Sequence, residues 1–368
     1  MDFYGIKARE RERQFLKRAK NQFYLTGAGA RNQIVSVDAT SVYFLTRRSE
    51  VPQRISRHRL REAIRFLYFR RTVTRMDIEK RFKSCFSSAM LGLLRMLFIG
   101  IARIHKPCKG ARMRLTLKSV RHVYSGAERA PKDLMLAIQN GARFFLISYA
   151  HVRDRPKWYK LFETAAVDYG IKLLIDSGAF TIHQARKKGQ RVKPIRVEEY
   201  ADFLERYRHL IYGHFNLDVI ADPEASAANA AYLRDRGLEP IDVFHFGSSW
   251  DELGKMVSQD REVIGIGGTV GLPEKTKRTF FTELFDRFPG QLFHLLGCGS
   301  ALITEFPFFS SDSSTWLLGR KFRFILTPKQ VPAPANWSGD DCVAHNVRFQ
   351  AQLEFLHEAV QLELPMAN

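Results

Sequence analysis

Beyond about residue 140 the chain alternates short apolar runs with stretches of helical periodicity. The runs fall at 144–149, 173–176, 215–219, 241–247, 263–268, 292–297, 308–314 and 322–326. Short, unbroken Leu/Ile/Val/Phe runs are the pattern of strands buried on both faces, as parallel strands flanked by helices are. The stretches between them, among them 156–169, 198–210 and 223–236, carry apolar residues at helical spacing. Eight such strands counted from Phe144 predict an α/β chain with a (β/α)8 TIM-type barrel. Most of the runs end on a polar residue or a glycine: Asp176, Asp218, His245-Phe246-Gly247, Gly267-Gly268, Gly297 and Asp312. In a barrel of this kind the loops at the carboxyl ends of the strands build the site, so these termini are where chemistry belongs. One such Asp taken alone serves equally well as the cap of the next helix. Its recurrence along the chain favours a site.

The chain ahead of these strands follows another pattern. Leu60, Ile64, Leu67 and Tyr68 share one helix face from Ser56 onward. A second helix is predicted over 75–82, entered through Thr72-Val73-Thr74. A third starts at Ser87, a candidate N-cap, and carries Met90, Leu93, Leu94, Leu97 and Phe98 on one side. A basic hairpin follows, with its turn at Lys106-Pro107-Cys108-Lys109-Gly110. Three helices and a hairpin predict a small winged helix-turn-helix domain over 56–125. In such a domain the third helix enters the major groove and the wing crosses backbone phosphates. Lys83, Ser84, Ser87, Ser88 and Arg95 are the candidates on or near that helix, and Lys106, Lys109, Arg112 and Arg114 those on the wing. The remaining divisions are a basic arm and lead-in over 1–55, whose first twenty residues read as a short helix or a disordered arm, the barrel over 126–330, and a linker with a closing helix over 331–368. Thr26-Gly27-Ala28-Gly29-Ala30 lacks a following Gly-Lys-Ser/Thr and is taken as a turn, not a phosphate loop.

Charge sharpens this division. The net charge is +20, yet Met1 to Ala130 hold 30 Lys+Arg against 9 Asp+Glu, and the remainder 28 against 29. The whole excess belongs to the first third, which points to a polyanionic partner there. Cys85, Cys108, Cys298 and Cys342 lack paired spacing, as expected in a reducing compartment. With no apolar leader and no run long enough to span a bilayer, the expected location is the cytoplasm, without a membrane partner.

The strand ends also carry a resemblance. In order they read Asp176-Ser177-Gly178-Ala179-Phe180, Asn216-Leu217-Asp218, Val243-Phe244-His245-Phe246-Gly247, Gly267-Gly268-Thr269-Val270-Gly271, His294-Leu295-Leu296-Gly297 and Ser311-Asp312-Ser313. This series resembles the tRNA-guanine transglycosylase superfamily, above all its phage and bacterial members that install 7-deazaguanines in DNA. The resemblance spans roughly 144–324. It implies a pentosyltransferase that exchanges guanine for a free 7-deazaguanine base such as 7-cyano-7-deazaguanine. Asp312 matches the nucleophile, with Ser311, Ser313 and Ser314 as expected donors to it, and Asp176 matches the general acid/base. Asp218, His245, Gly267, Gly268, Ser177 and Phe180 fall at base-binding positions, and Phe246 is a second candidate for stacking. Arg186, Lys187 and Lys188, in a basic connection after the strand that ends at Asp176, suit a nucleic-acid backbone.

The implied partners are DNA and the deazaguanine base, and a helper protein of the same modification system is a further candidate. The tRNA enzymes carry a Cys-rich zinc motif after the last strands, where this chain has only Cys342 and His345, so neither zinc nor another cofactor is expected. Two alternatives stand beside DNA modification. One is the same exchange on tRNA, which a recognition helix argues against because A-form RNA hides its major groove. The other is a DNA-binding regulator that senses a deazapurine, which would need no nucleophile such as Asp312.

Overall fold

The computed structural model describes residues 2–46, 49–83, 86–155, 157–220 and 222–361. It divides into two compact units, Met1–Lys118 with Leu356–Asn368, and Ser119–Phe355.

In the first unit, the described residues of 1–55 form a helix, one of the two forms expected for the first twenty residues, and a sheet where only a lead-in was expected. Helix α1 (Phe3–Leu16) precedes an antiparallel four-stranded sheet of β1 (Phe23–Leu25), β2 (Arg31–Val37), β3 (Ser41–Thr46) and β4 (Ser49–Ser56), in that order. Then come α2 (Arg57–Arg70), β5 (Thr72–Thr74), α3 (Arg75–Phe82), α4 (Ser87–Leu97), β6 (Ala102–His105) and β7 (Arg114–Leu117). The last three strands pair antiparallel in the order β5-β7-β6. Local signals set the helix starts. The Ser56 hydroxyl caps α2 by accepting from Arg59 N–H, and Thr74 and Asp77 form a reciprocal capping box on α3. The cap position of α4 falls on Phe86, not Ser87, and has no side-chain cap.

Helix α4 differs from expectation in a second way. It is apolar on nearly every side, and Ser87, Ala89, Met90, Leu91, Gly92, Leu93, Leu94 and Leu97 are all buried. A helix apolar all round belongs in a core. The segment after β1 lies over its start: Gly27 N–H donates to Ser88 C=O at 2.9 Å, and Ala28 N–H to Ser88 Oγ at 3.1 Å. Ser87 and Ser88 are therefore packing groups, not groups free to read a groove. Arg114 is buried too, whereas Lys83, Arg95, Lys106, Lys109 and Arg112 are exposed; Ser84 lies outside the described residues.

The second unit is a barrel whose first strand comes earlier than expected. The strands are β8 (Arg121–Ser125), β9 (Phe144–Ser148), β10 (Lys172–Asp176), β11 (Ile211–His214), β12 (Val243–His245), β13 (Val263–Gly267), β14 (Leu292–Leu295) and β15 (Ser310–Ser313). All ladders are parallel, and β15 pairs back onto β8. A bridge between Phe215 and Ile241 joins the end of β11 to the start of β12 and closes the circuit, with Asn216 N–H on Ile241 C=O at 2.9 Å. The wrapping helices include α5 (Pro131–Gln139), α6 (Tyr149–Val152), α7 (Tyr159–Tyr169), α8 (Ala179–Lys187), α9 (Val197–Arg206), α10 (Pro223–Asp235), α11 (Trp250–Ser258), α12 (Glu274–Arg287), α13 (Leu302–Glu305) and α14 (Thr315–Phe322).

Phe324–Leu326, expected as the eighth strand, instead pairs antiparallel with Gln330–Pro332, in part of the stretch expected as linker. Its place in the barrel is taken by Arg-His-Val-Tyr-Ser of β8, whose polar residues conceal the strand. Arg121 is buried against Glu354 and stacks over the Phe144 ring at 3.9 Å. Tyr124 donates to Val347 C=O at 2.8 Å on α15 (Gly339–Gln352). The barrel unit thus begins before residue 126 and keeps α15, while α16 (Leu356–Gln361) belongs to the first unit.

The packing of α4 is testable at Gly92. Alanine normally stabilises a helix interior by about 1 kcal/mol over glycine. A Cβ here would sit 2.4 Å from the Leu25 carbonyl oxygen. Gly92→Ala is expected to lower the thermal midpoint of the first unit, opposite in sign to the propensity; scanning calorimetry of the full chain reads it.

Candidate functional site

Register settles which side chains share the barrel interior. Partners in a parallel ladder face the same side, and faces alternate along each strand. Asp176 pairs with Ser148, Leu146 with Ser125, and Asp312 with Val123, which places Asp176 and Asp312 on one face of the sheet. His245 pairs with Gly267, Gly265 with His294, and His294 with Ser310, on the same face. The Phe215 and His294 rings meet with centroids 5.0 Å apart, so this face is the interior. Asp176, His245, Gly267 and Asp312 lie at the carboxyl ends of their strands, and Asp218 follows β11 in the loop, so the sequence-derived residues converge on one mouth.

The carboxylates occupy different surroundings. Asp312 is buried, and its Oδ1 accepts from Gly297 N–H at 3.0 Å and from His294 Nε2 at 3.2 Å. A carboxylate can only accept, so His294 donates from Nε2, and its Nδ1 lies 2.8 Å from Ser310 Oγ. Ser310, His294 and Asp312 form a hydrogen-bonded relay, and Oδ2 of Asp312 has no donor among the described residues. None of the serines expected to serve Asp312 donates to it among the described residues. Ser311 donates to Cys298 C=O, and the Ser313 hydroxyl accepts from Thr315 N–H. His122, one strand away, is driven down to about 4 by burial and is neutral at pH 7.

Asp176 is pushed the other way. Burial first, then the charges of Asp312 and Asp218, raise it to about 7 against the opposition of Gly178 N–H, donating at 3.1 Å, and of the Ser148 hydroxyl. Near neutral pH it therefore holds a proton part of the time, as an acid must. Gly178 adopts φ +83°, and a Cβ there would stand 2.3 Å from that of Ala150, which explains the glycine in Asp-Ser-Gly-Ala-Phe. Ser177 is buried, with its hydroxyl 3.5 Å from Ala179 N–H, so it belongs to the turn and not to an open base pocket.

Asp218 is also raised by burial, countered by His245, whose Nε2 lies 3.3 Å from Oδ2. Asn216 Nδ2 approaches Oδ1 at 3.4 Å. Gly267 makes room for this pair: a Cβ would lie 2.9 Å from His245 Nδ1. Gly267 is buried; Gly268, at φ +74°, is exposed at the rim. Four exposed apolar side chains follow four successive strands there: Phe180 at 49%, Val219 at 40%, Phe246 at 36% and Val270 at 54%. Exposed apolar groups beside polar ones are the composition of a surface that can take a ligand. Arg186, Lys187 and Lys188 are exposed at the end of α8. Cys342 is buried on α15, and His345 Nε2 lies 3.0 Å from Leu326 C=O.

The residues to which sequence reasoning assigned no role are His294, Ser310 and Gly297. The signal was present in a polar residue facing the interior within an otherwise apolar strand, next to the glycine that ends the run. No protein-family model and no curated protein matches the sequence. Among solved structures, a protein of Aquifex aeolicus VF5 is similar at 13% identity and TM-score 0.42, covering 64% of this chain and 93% of its own. Tryptophan synthase subunit alpha from Legionella pneumophila str. Paris gives 9% and 0.41, covering 65% and 93%. A structure described as native KDPGal gives 10% and 0.36, covering 67% and 96%. The barrel is established by its own strand pairing, and these distant likenesses add nothing about activity.

Removing a neighbouring charge is expected to lower the titration midpoint of Asp176. Asp312→Asn and Asp218→Asn each bring it below about 7 but not to 3.8, because burial is the larger cause; carboxyl-carbon NMR reads it. The sign for stability follows from a folded value above the unfolded one. The favourable contribution is complete below about 3.8 and lost as pH rises through about 7. Asp176→Asn therefore raises the thermal midpoint at pH 8 and leaves it unchanged near pH 3.5.

Proposed function

We propose that the chain is a base-exchanging pentosyltransferase that replaces guanine in DNA by a 7-deazaguanine. The observation that carries this is the pairing of two interior carboxylates in opposed surroundings at one barrel mouth, one oriented by backbone and imidazole donors, the other poised to hold a proton. Division of labour between two carboxyl groups is what displacement at a glycosidic carbon requires. Asp312 attacks C1′ of the deoxyribose as the C1′–N9 bond breaks, and Asp176 gives its proton to the departing guanine. The incoming deazaguanine then bonds to C1′ through the corresponding nitrogen, returns a proton to Asp176 and releases Asp312. Asp218 with His245 accepts from the amide and amino edge of the purine, and Phe180 and Phe246 cover its faces. Exposed Phe180 and Phe246 suit a base extruded from its stack, at a cost of about a few kcal/mol.

The basic first unit supports a nucleic-acid substrate. Residues 57–117 run helix, strand, helix, helix, strand, strand, with the last strand central in the sheet. We take this as a winged-helix arrangement whose hairpin loop, with Lys106, Lys109 and Arg112, contacts phosphates. The covered face of α4 withdraws the ground on which RNA was set aside, so tRNA stands as the second substrate.

The test is exchange of 7-cyano-7-deazaguanine into guanine-containing duplex DNA and, in parallel, into tRNA, read by nucleoside mass spectrometry. Incorporation into DNA is expected, with loss in Asp312→Ala on the order of 10⁴-fold or more. Incorporation into tRNA alone selects the second substrate, and none in either polymer overturns the proposal. Because Asp176 must be protonated, the rate is expected to fall tenfold per pH unit above about 7. His294→Ala, which frees Asp312 to turn, is expected to cost on the order of 10²-fold in turnover.

A further inference from the structure

Two rows of cations face one cleft on the first unit. Arg9, Arg13 and Lys17 stand on α1 and its C-cap at intervals of four residues, all exposed and none in an ion pair among the described residues. Arg57 and Arg61 stand on the first turns of α2 with the same spacing. Together with Leu16 and Glu12 these side chains line a cleft of about 460 Å³. Glu12 is buried and orients the second row: its carboxylate accepts from Arg57 Nε at 2.9 Å and Arg61 Nη1 at 3.2 Å. Arg57 is further pinned by Nη1 on the Asp38 and Ala39 carbonyls. Five cations against one carboxylate leave the cleft strongly positive, and its geometry is held by packed helices.

The chemistry of the lining selects the partner. No aromatic side chain lines the cleft, whereas surfaces that hold single strands interleave aromatics for the bases. Leu16 is its one apolar residue, and the apolar side of α1, with Ala8 and Phe15, is buried, so α1 offers no greasy face to a bilayer. What remains is a rigid rail of guanidinium and ammonium groups. From Arg9 to Lys17 it rises about 12 Å, the span of roughly three to four nucleotides along one strand of a duplex.

We infer that the α1/α2 cleft is the principal seat of a duplex sugar-phosphate backbone on this chain, in place of the covered helix α4. This rests on the proposal that the protein acts on nucleic acid and locates where that substrate is held. The cleft contacts phosphates without reading bases, so it supplies affinity and not sequence preference.

The experiment is fluorescence anisotropy of the full chain with a labelled DNA duplex over about 50–200 mM salt. The variant is Arg9→Gln/Arg13→Gln/Lys17→Gln, and Lys106→Gln/Lys109→Gln/Arg112→Gln is the comparison; all six positions are exposed. The cleft variant is expected to lose affinity on the order of tenfold or more and to reduce the slope of log affinity against log salt by about 2.7, three phosphate contacts at about 0.9 each. The loop variant is expected to change both by less. If the cleft variant keeps the wild-type affinity and slope while the wild type binds duplex, the inference fails and base exchange stands untouched. If the wild type binds no duplex at any salt, the inference falls, and with it DNA as the substrate of base exchange. Loss of binding to phosphatidylserine vesicles without loss on duplex assigns the cleft to a membrane and overturns it as well.

Discussion

Three carboxylates share one desolvated barrel mouth, and like charges taken out of water cannot all ionise together. The burial of Asp176 and the nearby charges of Asp312 and Asp218 raise it to about 7, which turns an ordinary acid into one able to donate a proton at neutral pH. Asp176 has only Gly178 N–H and the Ser148 hydroxyl, whereas each of the other two has an imidazole beside it. Asp218 has the imidazole of His245, and Asp312 has Gly297 N–H and the His294–Ser310 relay. The chemical difference between the two central carboxylates is thus a property of the barrel, set by which strand ends bring donors and which do not.

Much of this site was legible because a parallel barrel writes itself plainly. Buried strands need continuous apolar runs, so a carboxylate at the end of one stands out, and strand-end motifs fall at the mouth whatever the details of the helices between. Asp176, Asp218, His245, Gly267 and Asp312 were found that way. Strand β8 was missed for the converse reason. Its Arg121 is satisfied by Glu354 and Phe144, partners far away in sequence or across the ladder, and no local pattern announces them. The false eighth strand at 324–326 is apolar as a strand should be, but pairing, not hydropathy, decides membership in a sheet. The serines around Asp312 misled because a hydroxyl near a carboxylate in sequence points to the opposite face of a strand at every odd step, and Ser311 and Ser313 do.

The first unit teaches the complementary lesson. Helix α4 follows the order of a recognition helix but not its composition: Ala-Met-Leu-Gly-Leu-Leu leaves no polar face to enter a groove, and Gly92 permits the close approach of the Leu25 carbonyl. The charge imbalance read from composition is carried on the surface of this unit, where exposed cations stand on α1, α2 and the β6–β7 loop. Their arrangement depends on Glu12 meeting two arginines more than forty residues away, which one chain read alone does not disclose.

The central claim is that Asp312 forms a covalent bond to the sugar while Asp176 handles the proton. The most direct measurement is rapid denaturing quench of the full chain turning over on a guanine-containing duplex, followed by proteolysis and peptide mass spectrometry. The account predicts a transient adduct between an abasic deoxyribose and the peptide that contains Asp312, absent in Asp312→Asn. An adduct on a peptide carrying Asp176 or Asp218, or turnover with no adduct at any quench time, would contradict it.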